Sequence, residues 1–126
     1  MTEPNRSVRL AIVIVNFNTD AALSTCLKSL HEPPPEVSHQ IVVVDNGSTD
    51  GTADLLAARA PMLDFPLRLN RSIKNQGFAG GMNLLAAQAL SDFLFVLNSD
   101  AYAEADCIEH LVHRAMMDDR IGICEA

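Results

Sequence analysis

Three short and nearly unbroken apolar runs punctuate the chain, at residues 10–15, 40–44 and 93–97. Runs of this length and composition predict strands buried on both faces, the pattern of a parallel sheet. Residues 67–69 and 121–124 carry weaker strand signals. Between the runs the spacing becomes helical. Over residues 20–31, Ala22, Leu23, Cys26, Leu27 and Leu30 recur on one face. Asn18 or Thr19 is placed to cap that helix, and Pro33-Pro34-Pro35 stops it. Residues 52–59 predict a second helix ended by Pro61, and residues 81–90 predict a third. A fourth is predicted over 104–117, with Ile108, Leu111, Val112 and Ala115 along one stripe.

Strands alternating with helices predict an α/β fold, a mainly parallel sheet with helices on both faces. Right-handed crossovers bring the carboxyl end of every strand to one rim, where open α/β sheets bind their ligands. The 126 residues suit a single domain with one core, and an apolar content of 48% excludes general disorder.

Charge and cysteine usage narrow the partners. A net charge of −7 counts against nucleic acid, whose binding needs clustered cations. No apolar run approaches the roughly 18 residues of a bilayer span. Residues 8–15 are too short for a signal-peptide core and lack a small-residue cleavage site, so a cytoplasmic protein is expected. Cys26, Cys107 and Cys124 are far apart and form no CxxC pair, which predicts reduced, packed thiols.

Polar clusters follow the strands. Asn16-Phe17-Asn18 follows the first, Asp45-Asn46-Gly47-Ser48 the second and Asn98-Ser99-Asp100 the last strong one. A fourth cluster, Asn75-Gln76-Gly77-Phe78-Ala79-Gly80-Gly81-Met82-Asn83, precedes a helix. Each has a structural reading. Asp45 and Asn46 suit a turn in which short polar side chains bond to the backbone, and the glycines suit close packing. Each also has a chemical one. Glycines ahead of a helix let N–H groups approach phosphate oxygens. Asp100 is a hard oxygen ligand at a strand end, suited to Mg²⁺ or Mn²⁺ bridging a diphosphate. Arg68, Arg71 and Lys74 could counter phosphate charge or form an ordinary surface cluster. His110 and His113 lie three residues apart without a third ligand at suitable spacing, which predicts a solvated helix face.

Together, residues 12–18, 43–52, 75–83 and 95–100 resemble the family 2 glycosyltransferases of GT-A fold, in particular the bacterial rhamnosyltransferase-like branch. The resemblance covers about residues 10–122 and implies a Rossmann-like nucleotide-binding half, with residues 1–126 forming one truncated GT-A domain. It implies inverting transfer from a UDP- or dTDP-sugar, with Mg²⁺ or Mn²⁺, onto a glycan or lipid-linked acceptor. Under it Asp45 would accept a hydrogen bond from the pyrimidine N–H, with Val15 and Asn16 flanking the base. Asn75, Gly77, Gly80 and Gly81 would border the ribose and diphosphate. Asn18, Asn46, Ser48 and Asn83 would complete the nucleotide-binding set. Asp100 would hold the metal beside Asn98 and Ser99, matching the last acid of the family's DxD motif, whose first acid is replaced in this chain by the amide of Asn98. The general base is expected in an acceptor-binding half absent from this chain, and Glu125 lacks the motif to replace it. The alternative is a non-catalytic nucleotide-binding or assembly module derived from such an enzyme. Apolar sheet surface left without cover also leads us to expect a homo-oligomer, and peripheral membrane association through partners.

Overall fold

The computed structural model describes residues 8–31, 34–59, 67–72, 74–88, 91–104 and 106–125. In chain order the elements are β1 (Val8–Asn16), α1 (Asp20–His31), β2 (His39–Asp45) and α2 (Thr52–Arg59). They continue with β3 (Leu67–Arg71), α3 (Gly77–Gln88), β4 (Ser91–Asn98) and α4 (Cys107–Met116). The four strands form one sheet in the order β3-β2-β1-β4, every neighbouring pair parallel. Ile12 of β1 lies opposite Ile41 of β2 and Phe95 of β4, and Ile41 lies opposite Leu67 of β3.

Because successive side chains point to opposite faces, the apolar runs of β1 and β2 supply two cores. On one face Leu10, Ile12, Ile14, Ile41 and Val43 pack with Leu23, Cys26 and Leu30 of α1, Leu56 of α2, and Ile108 and Val112 of α4. On the other, Ala11, Val13, Val42 and Val44 meet Met82 and Leu84 of α3. Helices therefore cover both faces, as expected. Each fully buried Leu, Ile or Val contributes about 1.5–3 kcal/mol, so the two central strands dominate the stability.

β4 departs from the expectation of burial on both faces. Phe93, Phe95 and Leu97 turn toward the first core, but Leu94 and Val96 remain 47% and 48% exposed. β4 is an edge strand, and no described helix covers its second face. Two helix boundaries also shift. α3 begins at Gly77, four residues before the predicted start, because Asn75 Oδ1 accepts the Gly77 N–H at 2.7 Å and opens the helix early. α4 begins at Cys107, since Asp106 sits in the left-handed region at φ 68 and ends the preceding loop. Residues 121–124 form no strand, and Ile123 is almost fully exposed. The stops expected from Pro33 and Pro61, and the end of the third helix at residues 89–90, lie outside the described residues. Among the described residues no helix is long and apolar enough to cross a membrane.

Candidate functional site

All four strands deliver their carboxyl ends to one rim. Asn16 lies opposite Asp45, Asp45 opposite Arg71, and Val15 opposite Asn98. The apolar runs end in these polar residues because the sheet's core ends there.

Asp45 and Asn16 are buried at 2% and 0% exposure, and their bonds explain how polar groups tolerate that position. Asp45 Oδ1 accepts from Asn16 Nδ2 at 3.0 Å and from the Ser48 hydroxyl at 2.6 Å. Asp45 Oδ2 accepts the Ser48 backbone N–H at 3.0 Å. Gly47, at φ 84, supplies the left-handed turn that folds Ser48 back onto the carboxylate. The Ser48 hydroxyl also accepts from the Asn18 N–H at 2.9 Å, while Asn18 Oδ1 accepts the Thr49 N–H at 2.7 Å. Asn18 is itself in the left-handed region, at φ 51. The structural reading of Asp45 is thus realised, and the loops after β1 and β2 are stitched into one unit. One bond to Oδ2 leaves that oxygen with acceptor capacity.

Asn46, 1% exposed, faces the opposite side and holds the start of α3. Its Oδ1 accepts the Gln76 N–H at 3.2 Å and its Nδ2 donates to the Gly77 carbonyl at 3.0 Å. Gly80 and Gly81 lie inside α3, not in a loop ahead of it. A Cβ on Gly81 would fall 2.9 Å from Val15 Cγ1, so this glycine lets the helix rest on β1. A Cβ on Gly47 would meet the Lys74 backbone at 3.1 Å, which fixes the β2 turn against the segment before α3. Gly77 has φ 78 with open space around it, and Asn75, Gly77 and Asn83 are exposed.

The third cluster turns back just past β4, where the Ala101 N–H bonds the Asn98 carbonyl at 3.0 Å. Asn98 and Asp100 are exposed, and Ser99 is half-buried. The Thr19 hydroxyl faces both Asn16 Oδ1 and Ser99 Oγ, the latter at 3.0 Å. Beneath the turn lies Cys26, whose Sγ is 3.7 Å from the Asn98 carbonyl. Burial, and secondarily the negative charge of Asp100, push its thiol up to about 11. Among the described residues no hydrogen bond or ion pair engages Asp100, and no group of three His, Cys, Asp or Glu could hold a metal ion. A single free carboxylate fits a hard cation that takes its other oxygens from a diphosphate and water, the usual manner of Mg²⁺.

The remaining candidates resolve simply. Arg71 pairs with Asp54 at 3.0 Å on the surface, and Arg68 and Lys74 are exposed. His110 and His113 lie on the exposed side of α4. All three cysteines are free. A cavity lined by Ser29, Pro35, Glu36, Glu104 and Glu109 opens between the end of α1 and the start of α4, and shares no residue with the rim clusters. Sequence reasoning assigned Thr19 only a cap and missed its place between Asn16 and Ser99. That contact spans 80 residues and has no local signal.

Comparison with known proteins gives a consistent picture. The family model described as glycosyl transferase family 2 matches residues 11–125. The glycosyltransferase YfnE of Bacillus subtilis is 28% identical over 117 residues, which are 93% of this chain and 29% of that protein. The mannosyltransferase PcManGT from Pyrobaculum calidifontis, solved with GDP-Man and Mn²⁺, superposes with a TM-score of 0.83 at 24% identity, over 95% of this chain and 35% of that one. S. aureus TarS 1–349, solved with UDP-GlcNAc, superposes with a TM-score of 0.76 at 18% identity, over 93% and 37% of the two chains. The chain spans about a third of the length of each of these relatives. The fold is a parallel four-stranded α/β sheet of GT-A type.

Proposed function

The chain belongs to glycosyltransferase family 2, and from that premise we propose that its rim binds the nucleotide of a UDP- or dTDP-sugar. Transfer would invert the anomeric centre and deliver the sugar to a glycan or lipid-linked acceptor. The carrying observation is the convergence of Asn16, Asp45, Ser99 and the N-terminal turn of α3 on one rim, from four separate segments.

In this reading Asp45 Oδ2 accepts the base N–H, because an ionised carboxylate only accepts and uracil and thymine both present a donor there. Asn16 and the Ser48 turn hold that carboxylate in place, and Val15 borders the base. Asn75 and Gly77, with the positive end of the α3 dipole behind them, face the anionic diphosphate. Gly80 and Gly81 keep α3 close enough for that approach, and Asn18, Asn46, Ser48, Asn83, Asn98 and Ser99 shape the surrounding loops. Asp100 would hold Mg²⁺ or Mn²⁺, which when bound offsets the charge that builds on the leaving nucleoside diphosphate. The acceptor hydroxyl attacks the anomeric carbon opposite the leaving group and gives its proton to a general base. We assign no residue of this chain to that base. The reading extends to domain organisation: these residues form the donor-binding part, and the acceptor side and base come from sequence outside them.

Engagement of Asp45 within its own turn favours a second reading, a non-catalytic module of the same family. Titration calorimetry with UDP, dTDP, GDP and ADP, in Mn²⁺ and again in EDTA, tests the first. Metal-enhanced binding of UDP or dTDP in preference to ADP supports it. GDP belongs in the series because the Pyrobaculum relative was solved with GDP-Man, and preference for GDP would reassign the base. Binding of none would leave the rim a structural remnant.

A further inference from the structure

From Asp45 to Ser99, the neighbour of Asp100 in the turn after β4, runs a chain of side-chain hydrogen bonds whose direction is fixed by chemistry. Asp45 can only accept, so Asn16 must present its NH₂ group there, and the Asn16 carbonyl oxygen therefore faces Thr19. That oxygen is also acceptor-only, so the single hydroxyl proton of Thr19 goes to Asn16. The Ser99 hydroxyl, 3.0 Å from Thr19 Oγ1, must then donate to Thr19. Three bonds linking four side chains, from β1, the β1–α1 loop, β2 and the turn after β4, thus run one way, from Ser99 to Asp45. Bonds aligned in this manner polarise and strengthen one another.

Capping does not account for the Thr19 hydroxyl. Its backbone carbonyl, not its hydroxyl, accepts the Leu23 N–H at 2.7 Å. The hydroxyl is spent on Asn16 and Ser99, beside the exposed Asp100.

We propose that Thr19 is a positioning residue whose hydroxyl ties the turn carrying Asp100 to the Asn16–Asp45 pair. The group that reads the base and the turn that holds the metal then move as one unit, and order at one end is shared with the other. This rests on the donor-site reading above for its consequence, but the linkage itself exists without ligand.

The test uses the whole chain as wild type, Thr19→Val, Thr19→Ser, Ser99→Ala and the double variant Thr19→Val/Ser99→Ala. In ligand-free protein, Ser99→Ala should shift the Asn16 side-chain amide and Ser48 N–H resonances, and should lose that effect in the Thr19→Val background. The factor by which Mn²⁺ tightens UDP binding should fall about three- to tenfold in Thr19→Val, the worth of one hydrogen bond to a buried network, and recover in Thr19→Ser. Absence of resonance coupling in wild type, or Thr19→Ser behaving as Thr19→Val, would overturn the proposal. A wild-type protein that shows the coupling but binds no pyrimidine nucleotide would sink the donor-site reading and leave the linkage standing.

Discussion

Asn46, at the end of β2, reaches the Gly77 carbonyl with its Nδ2 at 3.0 Å and receives the Gln76 N–H on its Oδ1 at 3.2 Å. One buried amide thereby satisfies a donor and an acceptor at the start of α3, where helix ends leave backbone groups without partners. The motif looks like a binding loop in sequence, yet this residue spends its polar groups on the fold.

Replacing that amide exposes the arrangement. Asn46→Ala removes two hydrogen bonds from the start of α3, so stability should fall by about 1–3 kcal/mol. Urea unfolding measures it. Hydrogen exchange at Gln76 should quicken in the same variant, whereas a loss confined to nucleotide binding would show that Asn46 serves the ligand instead.

The contact between α3 and β1 gives a second prediction. Alanine at Gly81 would bring its Cβ within 2.9 Å of Val15 Cγ1 and 3.0 Å of Cγ2. Overpacking of this kind costs about 1–3 kcal/mol. Val15→Ala removes the opposing methyls, so the double variant should be more stable than the sum of the two single losses. Additivity in denaturant unfolding would mean that the helix lifts away without strain.

Much of this fold was legible because burial imposes simple patterns. β1 and β2 are covered on both faces and read as continuous apolar runs, and α1 and α2 match the spans expected at 20–31 and 52–59. β4 read the same way as β1, yet its outer residues Leu94 and Val96 are exposed, since a sequence does not say which strand lies at an edge. The rim clusters were legible from strand ends alone, but their internal division was not. Asn46 and Gly81 hold α3 on the sheet, while Asn75 and Asp100 face solvent, and that split depends on contacts made across 30 or more residues. Thr19 shows the limit most plainly, since its partner Ser99 is fixed only by the pairing of β1 with β4.

Cys26 carries a pH prediction whose sign follows from its raised thiol. The folded protein holds the proton up to about 11, against 9.0 for a free cysteine thiol, so between those values the unfolded chain binds fewer protons. Stability contributed by the neutral thiol is therefore complete below pH 9 and declines as pH rises toward 11. Urea midpoints at pH 8 and pH 10 should show a drop in wild type that Cys26→Ala reduces. A thiol reagent at pH 8 should modify Cys107 and Cys124 before Cys26, which is buried.

The two rim carboxylates should respond differently to removal of charge. Asp45→Asn replaces an acceptor by an NH₂ group facing the donors of Ser48 or Asn16, so it should lose about 1–3 kcal/mol of stability. It should also weaken UDP binding in EDTA as well as in Mn²⁺, because its proposed partner is the base. Asp100 is exposed and unbonded among the described residues, so Asp100→Asn should leave stability within about 0.5 kcal/mol. Its effect should be confined to the increment that Mn²⁺ adds to UDP affinity. Calorimetry on both variants under both conditions separates the roles. If Asp100→Asn weakens binding in EDTA as much as in Mn²⁺, the turn after β4 contacts the nucleotide directly and the metal assignment fails.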